Sequence, residues 1–244
     1  MVLYVGDYVS PSDREVCCDR VRREMMNELP GWEVEVAAVV GPFEDVNGHD
    51  SFFDDACKKV PPNKRGLALK RDFLTSIIQA LRAGMVYKAD FIVGEGQGGI
   101  VAAGMCKPLV MEVAMAARSV QSMKLHGFAQ AWSRLKGVVI RNPKLWRTES
   151  LGDQMLQACP EWRESFPVDA VPAYCVEIPN WPHRDQVLAA LKELGVPVVK
   201  ELGDIPWQTL AASKAREVWE HHGKCICGRR TYVQSMSEVH PGRS

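Results

Sequence analysis

Residues 91 to 103 read Phe-Ile-Val-Gly-Glu-Gly-Gln-Gly-Gly-Ile-Val-Ala-Ala. A short apolar run enters a glycine-rich turn, and a run of small apolar residues leaves it. Asp90 to Val93 is compact, apolar and bounded by turn residues, which predicts a buried strand; the glycines from Gly94 then open a helix through Cys106. A strand feeding a helix through such a turn is the repeating unit of layered α/β folds. The rest of the chain is placed around it.

Upstream, Val2 to Val5 predicts a buried strand closed by Gly6-Asp7, and Ser10-Pro11-Ser12-Asp13 supplies cap chemistry for a helix from Arg14 to Leu29. Pro30-Gly31 stops it, and Glu33 to Val40 predicts a second strand. Gly41 to Lys64 is polar and turn-rich and is expected as a long loop. Leu67 to Ala83 carries apolar residues at 67, 69, 73, 74, 77, 78 and 81, the spacing of a one-faced helix. Downstream, Pro108 breaks the turn's helix, and Leu109 to Val120 resumes it, with more helix through Trp132. Gly137 to Ile140 predicts a fourth strand, followed by an irregular region containing Trp146 and Trp162. Val171 to Ile178 is a fifth strand, Asp185 to Leu194 a helix, Val196 to Leu202 a sixth strand, and Trp207 to His222 a closing helix. The expected fold is α/β, a three-layer sandwich with a six-stranded, mainly parallel sheet. Residues 1–222 are expected to form one α/β domain and 223–244 an irregular C-terminal tail, as where a longer chain was cut.

Composition narrows the function. The chain has 244 residues, 46% of them apolar and 25% charged, with 30 Lys+Arg against 30 Asp+Glu. Those fractions are globular, and zero net charge points away from nucleic acid and from anionic membrane. The basic cluster Lys58-Lys59, Lys64-Arg65 and Lys70-Arg71 lacks interleaved aromatics and follows Asp54-Asp55, as in a solvated face. Phe91 to Cys106 contains Glu95 and falls short of the roughly 18 apolar residues a membrane span needs. The first residues have no basic segment and no long apolar stretch of a signal peptide. The eight cysteines form no framework, and several, Cys106 and Cys175 among them, sit in apolar contexts. That suits reduced thiols and a cytoplasmic protein.

At the carboxyl end of a parallel strand, the N–H groups of the following helix meet ligands. Gly94, Gly96 and Gly99 match G-x-G-x-x-G, the turn that admits a dinucleotide pyrophosphate, with small Ala102 and Ala103 behind it. That reading makes the chain an oxidoreductase with a Rossmann-like domain. It requires Glu112 to end the next strand, whereas Leu109 to Glu112 reads as helix, and Pro108 cuts the turn's own helix short.

The run Gly94-Glu95-Gly96-Gln97-Gly98-Gly99 also resembles the nucleophile elbow of small carboxylesterase-like members of the α/β-hydrolase fold, as a variant of their Gly-His-Ser-Gln-Gly-Gly. Val2 to Gly6 resembles their first strand and oxyanion-loop entrance, and Val171 to Asp185 the strand and loop that supply the triad acid. The resemblance implies a strained turn with φ > 0 at residue 96, an acid near Asn180 or Asp185, and a histidine after the last strand. The chain departs from this at the nucleophile, which is Gly96, and at the histidine, where the loop reads Gly203-Asp204-Ile205-Pro206-Trp207. Acyl transfer needs a hydroxyl or thiol activated by a base. The resemblance therefore implies a hydrolase frame without the hydrolase reaction.

A third reading gives these glycines to helix–sheet packing alone. Weaker constellations are set aside. His221, His222, Cys225 and Cys227 crowd four metal-competent side chains into seven residues, a spacing that strains a tetrahedral site, so no metal is expected. Cys17 and Cys18 read as core and rim, Ser10 and Ser12 as cap residues, His126 and His183 as surface or satisfied histidines, and Glu95 as a solvated carboxylate. The expected function is a catalytically degenerate hydrolase-like domain that binds a small molecule or a protein through Gly94, Glu95, Gly96, Gln97, Gly98, Gly99 and Asp185. It uses no cofactor; the alternative is the dinucleotide-binding oxidoreductase.

Overall fold

In a computed structural model of the chain, the described residues are 1–6, 10–106, 134–146, 149–150, 173–176, 189, 192, 198–199, 209, 213 and 216. Strand β1 (Val2–Val5) is followed by helix α1 (Pro11–Glu28) and strand β2 (Val36–Ala38). A hairpin of β3 (Phe43–Glu44) and β4 (Asp50–Ser51) leads to helices α2 (Ala56–Lys59) and α3 (Pro62–Tyr87). Strand β5 (Phe91–Gly96) runs into helix α4 (Gln97–Gly104). Then come β6 (Gly137–Trp146), β7 (Glu149–Ser150), β8 (Ala173–Val176) and β9 (Val198–Val199).

The main sheet has the order β2-β1-β5-β6-β8-β9, all pairs parallel, and β7 pairs antiparallel with β6. The protein is α/β with a mainly parallel sheet. The expected count of six gives way to seven among the described residues. The reason is β6, which continues past Ile140 through Trp146 and turns back as β7, where an irregular region was expected.

Strand alternation sorts side chains to the two faces of the sheet. Val2, Tyr4, Phe91, Val93 and Val139 pack with Cys18, Val21, Met25 and Leu29 of α1. Leu3, Val5, Ile92, Val138 and Ile140 pack with α3 (Leu69, Phe73, Ile77, Leu81) and α4 (Ile100 to Ala103). The central strands are apolar on both faces because both are covered.

Several boundaries move for local reasons. Helix α1 starts at Pro11, since proline is tolerated in the first turn; Ser10 caps it, its Oγ accepting from Asp13 N at 3.1 Å. Helix α3 runs from Pro62 to Tyr87, beyond the apolar stripe. The stretch expected as a loop, Gly41 to Lys64, contains the hairpin, α2 and the start of α3. Strand β5 extends to Gly96 because Glu95 pairs with Arg141 and Gly96 with Pro143 on β6. The turn's helix thus begins at Gln97 and not at Gly94. Strands expected at 33–40, 171–178 and 196–202 are described over Val36–Ala38, Ala173–Val176 and Val198–Val199.

Residues 189, 192, 209, 213 and 216 are helical, as expected. The segment 107–133, Trp162 and the tail 223–244 lie outside the described residues. Among the described residues, no helix is long and apolar enough to cross a membrane.

Candidate functional site

The sheet order contains a switch. From β1 the chain moves to β2 on one side, then returns to β5 on the other side and continues outward to β9. In open parallel sheets, the connections leave such a point in opposite directions, and a crevice opens outside the carboxyl ends of the two strands. Here those strands are β1 and β5, and the glycine turn lies at the end of β5.

Gly96 has φ 61 and ψ −127. This is the backbone region that side chains reach only under strain, and glycine enters it freely. It reverses the chain from β5 into α4 within one residue. Gly98 answers a different demand. A Cβ there would lie 1.9 Å from the carbonyl oxygen of Val5, so α4 meets the end of β1 at backbone contact. A Cβ on Gly94 would strike Ala102 and Gly98 O, and one on Gly99 would press on Arg141 O and Pro143. Packing therefore accounts for Gly94, Gly98 and Gly99, and the turn itself for Gly96.

Gln97 is buried, and its Oε1 accepts from Phe52 N at 2.8 Å and lies 2.9 Å from Ser51 Oγ. Ser76 Oγ donates to Phe52 O from α3. The side chain of Gln97 thus anchors the segment after the hairpin beside the turn.

Glu95 is not the solvated carboxylate expected of it. Tyr4, Glu95 and Arg141 fall on the α1 face by strand alternation, and Arg20 reaches them from α1. Glu95 Oε2 accepts from Tyr4 OH at 2.8 Å, Arg20 Nη2 at 3.2 Å and Arg141 Nη1 at 3.4 Å. Arg20 Nη2 also donates to Tyr4 OH at 3.2 Å. Gly6 leaves room for this, since a Cβ there would sit 2.8 Å from the Tyr4 ring. Burial first, then the Glu95 carboxylate, pushes the Tyr4 phenol far above its ordinary pKa, so it is a fixed donor. The arrangement holds the Glu95 carboxylate in one orientation.

Other candidates fall away or stay beyond reach. Ser10 caps α1 and meets Ser12 Oγ at 2.9 Å on the surface. Cys18 is buried and Cys17 half-buried, so the two differ in burial as expected but in the opposite order. Cys57 is buried and donates to Asp72 Oδ2 at 2.8 Å; burial pushes its thiol up to about 12, which makes it a poor nucleophile. Among the described residues, no three His, Cys, Asp or Glu side chains gather as metal ligands. Glu112, His126, Asn180, His183, Asp185, Asp204 and the group from His221 to Cys227 lie outside the described residues. Tyr4, Arg20 and Arg141 were not singled out from sequence. The one available signal was alternation, which puts Tyr4, Glu95 and Arg141 on one face once the strand register is known.

No protein-family model matches the chain, and no curated protein matches it in sequence. Among solved structures it is similar to the crystal structure of the Bacillus cereus carboxylesterase, at TM-score 0.43 and 14% identity, over 91% of this chain and 87% of that chain.

Proposed function

We propose that the chain is a hydrolase-like domain that has lost the hydrolytic reaction and binds a small molecule or a protein at the carboxyl edge of its sheet. The observation that carries this reading is Gly96 itself. It holds φ 61 at a strand-to-helix turn, the position and strain of an elbow, with no side chain to attack a substrate. The covering of the sheet by α1 on one face and by α3 and α4 on the other supports a three-layer frame. The four free cysteines among the described residues fit a reducing compartment such as the cytoplasm. The competing proposal, a dinucleotide on the same turn, requires Glu112 at the end of a neighbouring strand.

The test uses p-nitrophenyl acetate hydrolysis and a serine-directed fluorophosphonate on the full chain. No turnover and no label are expected. Gly96→Ser should fold, with a stability loss of about 1–3 kcal/mol for a side chain at positive φ. Labelling of the wild-type chain at any residue beside the turn overturns the proposal.

A further inference from the structure

The Glu95 carboxylate at the carboxyl edge of β5 is held asymmetrically. All three donors on Glu95 converge on Oε2. Among the described residues, Oε1 of the same carboxylate receives no hydrogen bond, and the side chain is 31% exposed. A carboxylate pinned through one oxygen holds its other oxygen in a fixed direction as a ready acceptor.

Charge narrows the ligand. Arg20 and Arg141 repel a cation from Glu95 Oε1. An anion drawn to the guanidiniums must lie against Glu95, and Glu24 also acts on Arg20. A neutral group that both donates and accepts meets neither obstacle. Two adjacent hydroxyls are such a group, one O–H donating to a carboxylate oxygen and its neighbour accepting from a guanidinium N–H. The Arg20 side chain is 42% exposed beside Glu95, and a guanidinium carries five N–H donors.

Resting on the binding role proposed above, we infer that the sheet edge at Glu95 takes a neutral ligand through a vicinal diol, as in a free sugar or the ribose of a nucleoside. Glu95 Oε1 accepts from one hydroxyl, and Arg20 or Arg141 donates to the other. Tyr4 is a positioning residue that fixes the Glu95 carboxylate through the 2.8 Å bond.

The experiment is an amide-shift titration of the ¹⁵N-labelled full chain with adenosine, D-ribose and D-glucose, against 2′-deoxyadenosine and inorganic phosphate. Saturable shifts of the Gly94, Gly96 and Gly98 amides are expected with a diol probe. 2′-Deoxyadenosine should bind at least tenfold more weakly, because a site built around a hydroxyl rejects the analogue lacking it. A response to adenosine alone assigns the diol to a nucleoside, and a response to the free sugars assigns it to a carbohydrate.

Glu95→Gln should weaken diol binding at least tenfold. Tyr4→Phe, which keeps the ring, should weaken it severalfold while the circular dichroism melt stays cooperative. Shifts with phosphate and none with the diols overturn the ligand class and leave the binding role standing. Diol shifts that Glu95→Gln and Tyr4→Phe leave unchanged overturn the assignment to Glu95. Silence from every probe overturns the diol inference, whereas loss of the degenerate-hydrolase reading itself is reported separately by fluorophosphonate labelling.

Discussion

Cys57 is buried against the Asp72 carboxylate, and burial with that contact raises its thiol to about 12 from an ordinary 9.0. Asp72 has no exposed surface, and its other oxygen is held by Arg71 at 3.0 and 3.1 Å. A thiol whose pKa is higher folded than unfolded contributes its full stability below the unfolded value. That contribution is lost as pH rises toward the folded value. Stability should therefore fall between about pH 9 and 12, with Cys57 accounting for at most about 1.4 kcal/mol per pH unit. Tyr4, Cys17 and Cys18 are raised as well and fall in the same direction. Cys57→Ser, which keeps a donor and does not ionise, should flatten the decline without abolishing it. Urea midpoints at pH 8, 9.5 and 10.5 check this; parallel declines in both proteins would show that the thiol does not titrate with folding.

At the scale of elements, the join between β5 and α4 is a strut for its surroundings. The segment Ser51 to Phe53 crosses beside the turn with its backbone turned inward, and Gln97 Oε1 and Ser76 Oγ satisfy it. Gln97→Leu conserves volume and leaves Phe52 N–H buried without its acceptor. Such an orphan costs about 1–3 kcal/mol. The loss should be local before it is global. Hydrogen exchange at Phe52 should accelerate far more than exchange at Ile92 in β5, and equal acceleration at both would mean that Gln97 only supports the core in general. The same join explains why a motif reading stops short here. G-x-G-x-x-G and an elbow place the same atoms in sequence, and what separates them is where the backbone beside each glycine leads. At Gly98 it leads to Val5 O, inside the protein.

Across the whole molecule, one sheet serves two apolar layers. Met25 lies in the α1 layer and Ile140 in the α3–α4 layer, both nearly without exposed surface. Met25→Ala and Ile140→Ala should each cost about 2–5 kcal/mol. Because the two layers share β1, β5 and β6, either change should shift far-UV circular dichroism and tryptophan fluorescence transitions together. Separate transitions would show that one layer folds without the other. The α/β class, β1, the α3 stripe and the glycine turn were legible in the sequence because each rests on local properties: apolar runs, helical spacing and the unique permissiveness of glycine. The length of β6 was not, because Arg141 to Trp146 has no apolar run and extends through pairing with Gly96 and β7. The candidate site divides the same way. The sequence alone determined that residue 96 offers no side chain for chemistry, since glycine has none in any fold. Only the tertiary structure decided that Glu95 is held by Tyr4, Arg20 and Arg141. These residues lie up to 137 positions apart along the chain, between Tyr4 and Arg141, and only the register of β1, β5 and β6 with α1 laid across them brings their side chains to one oxygen.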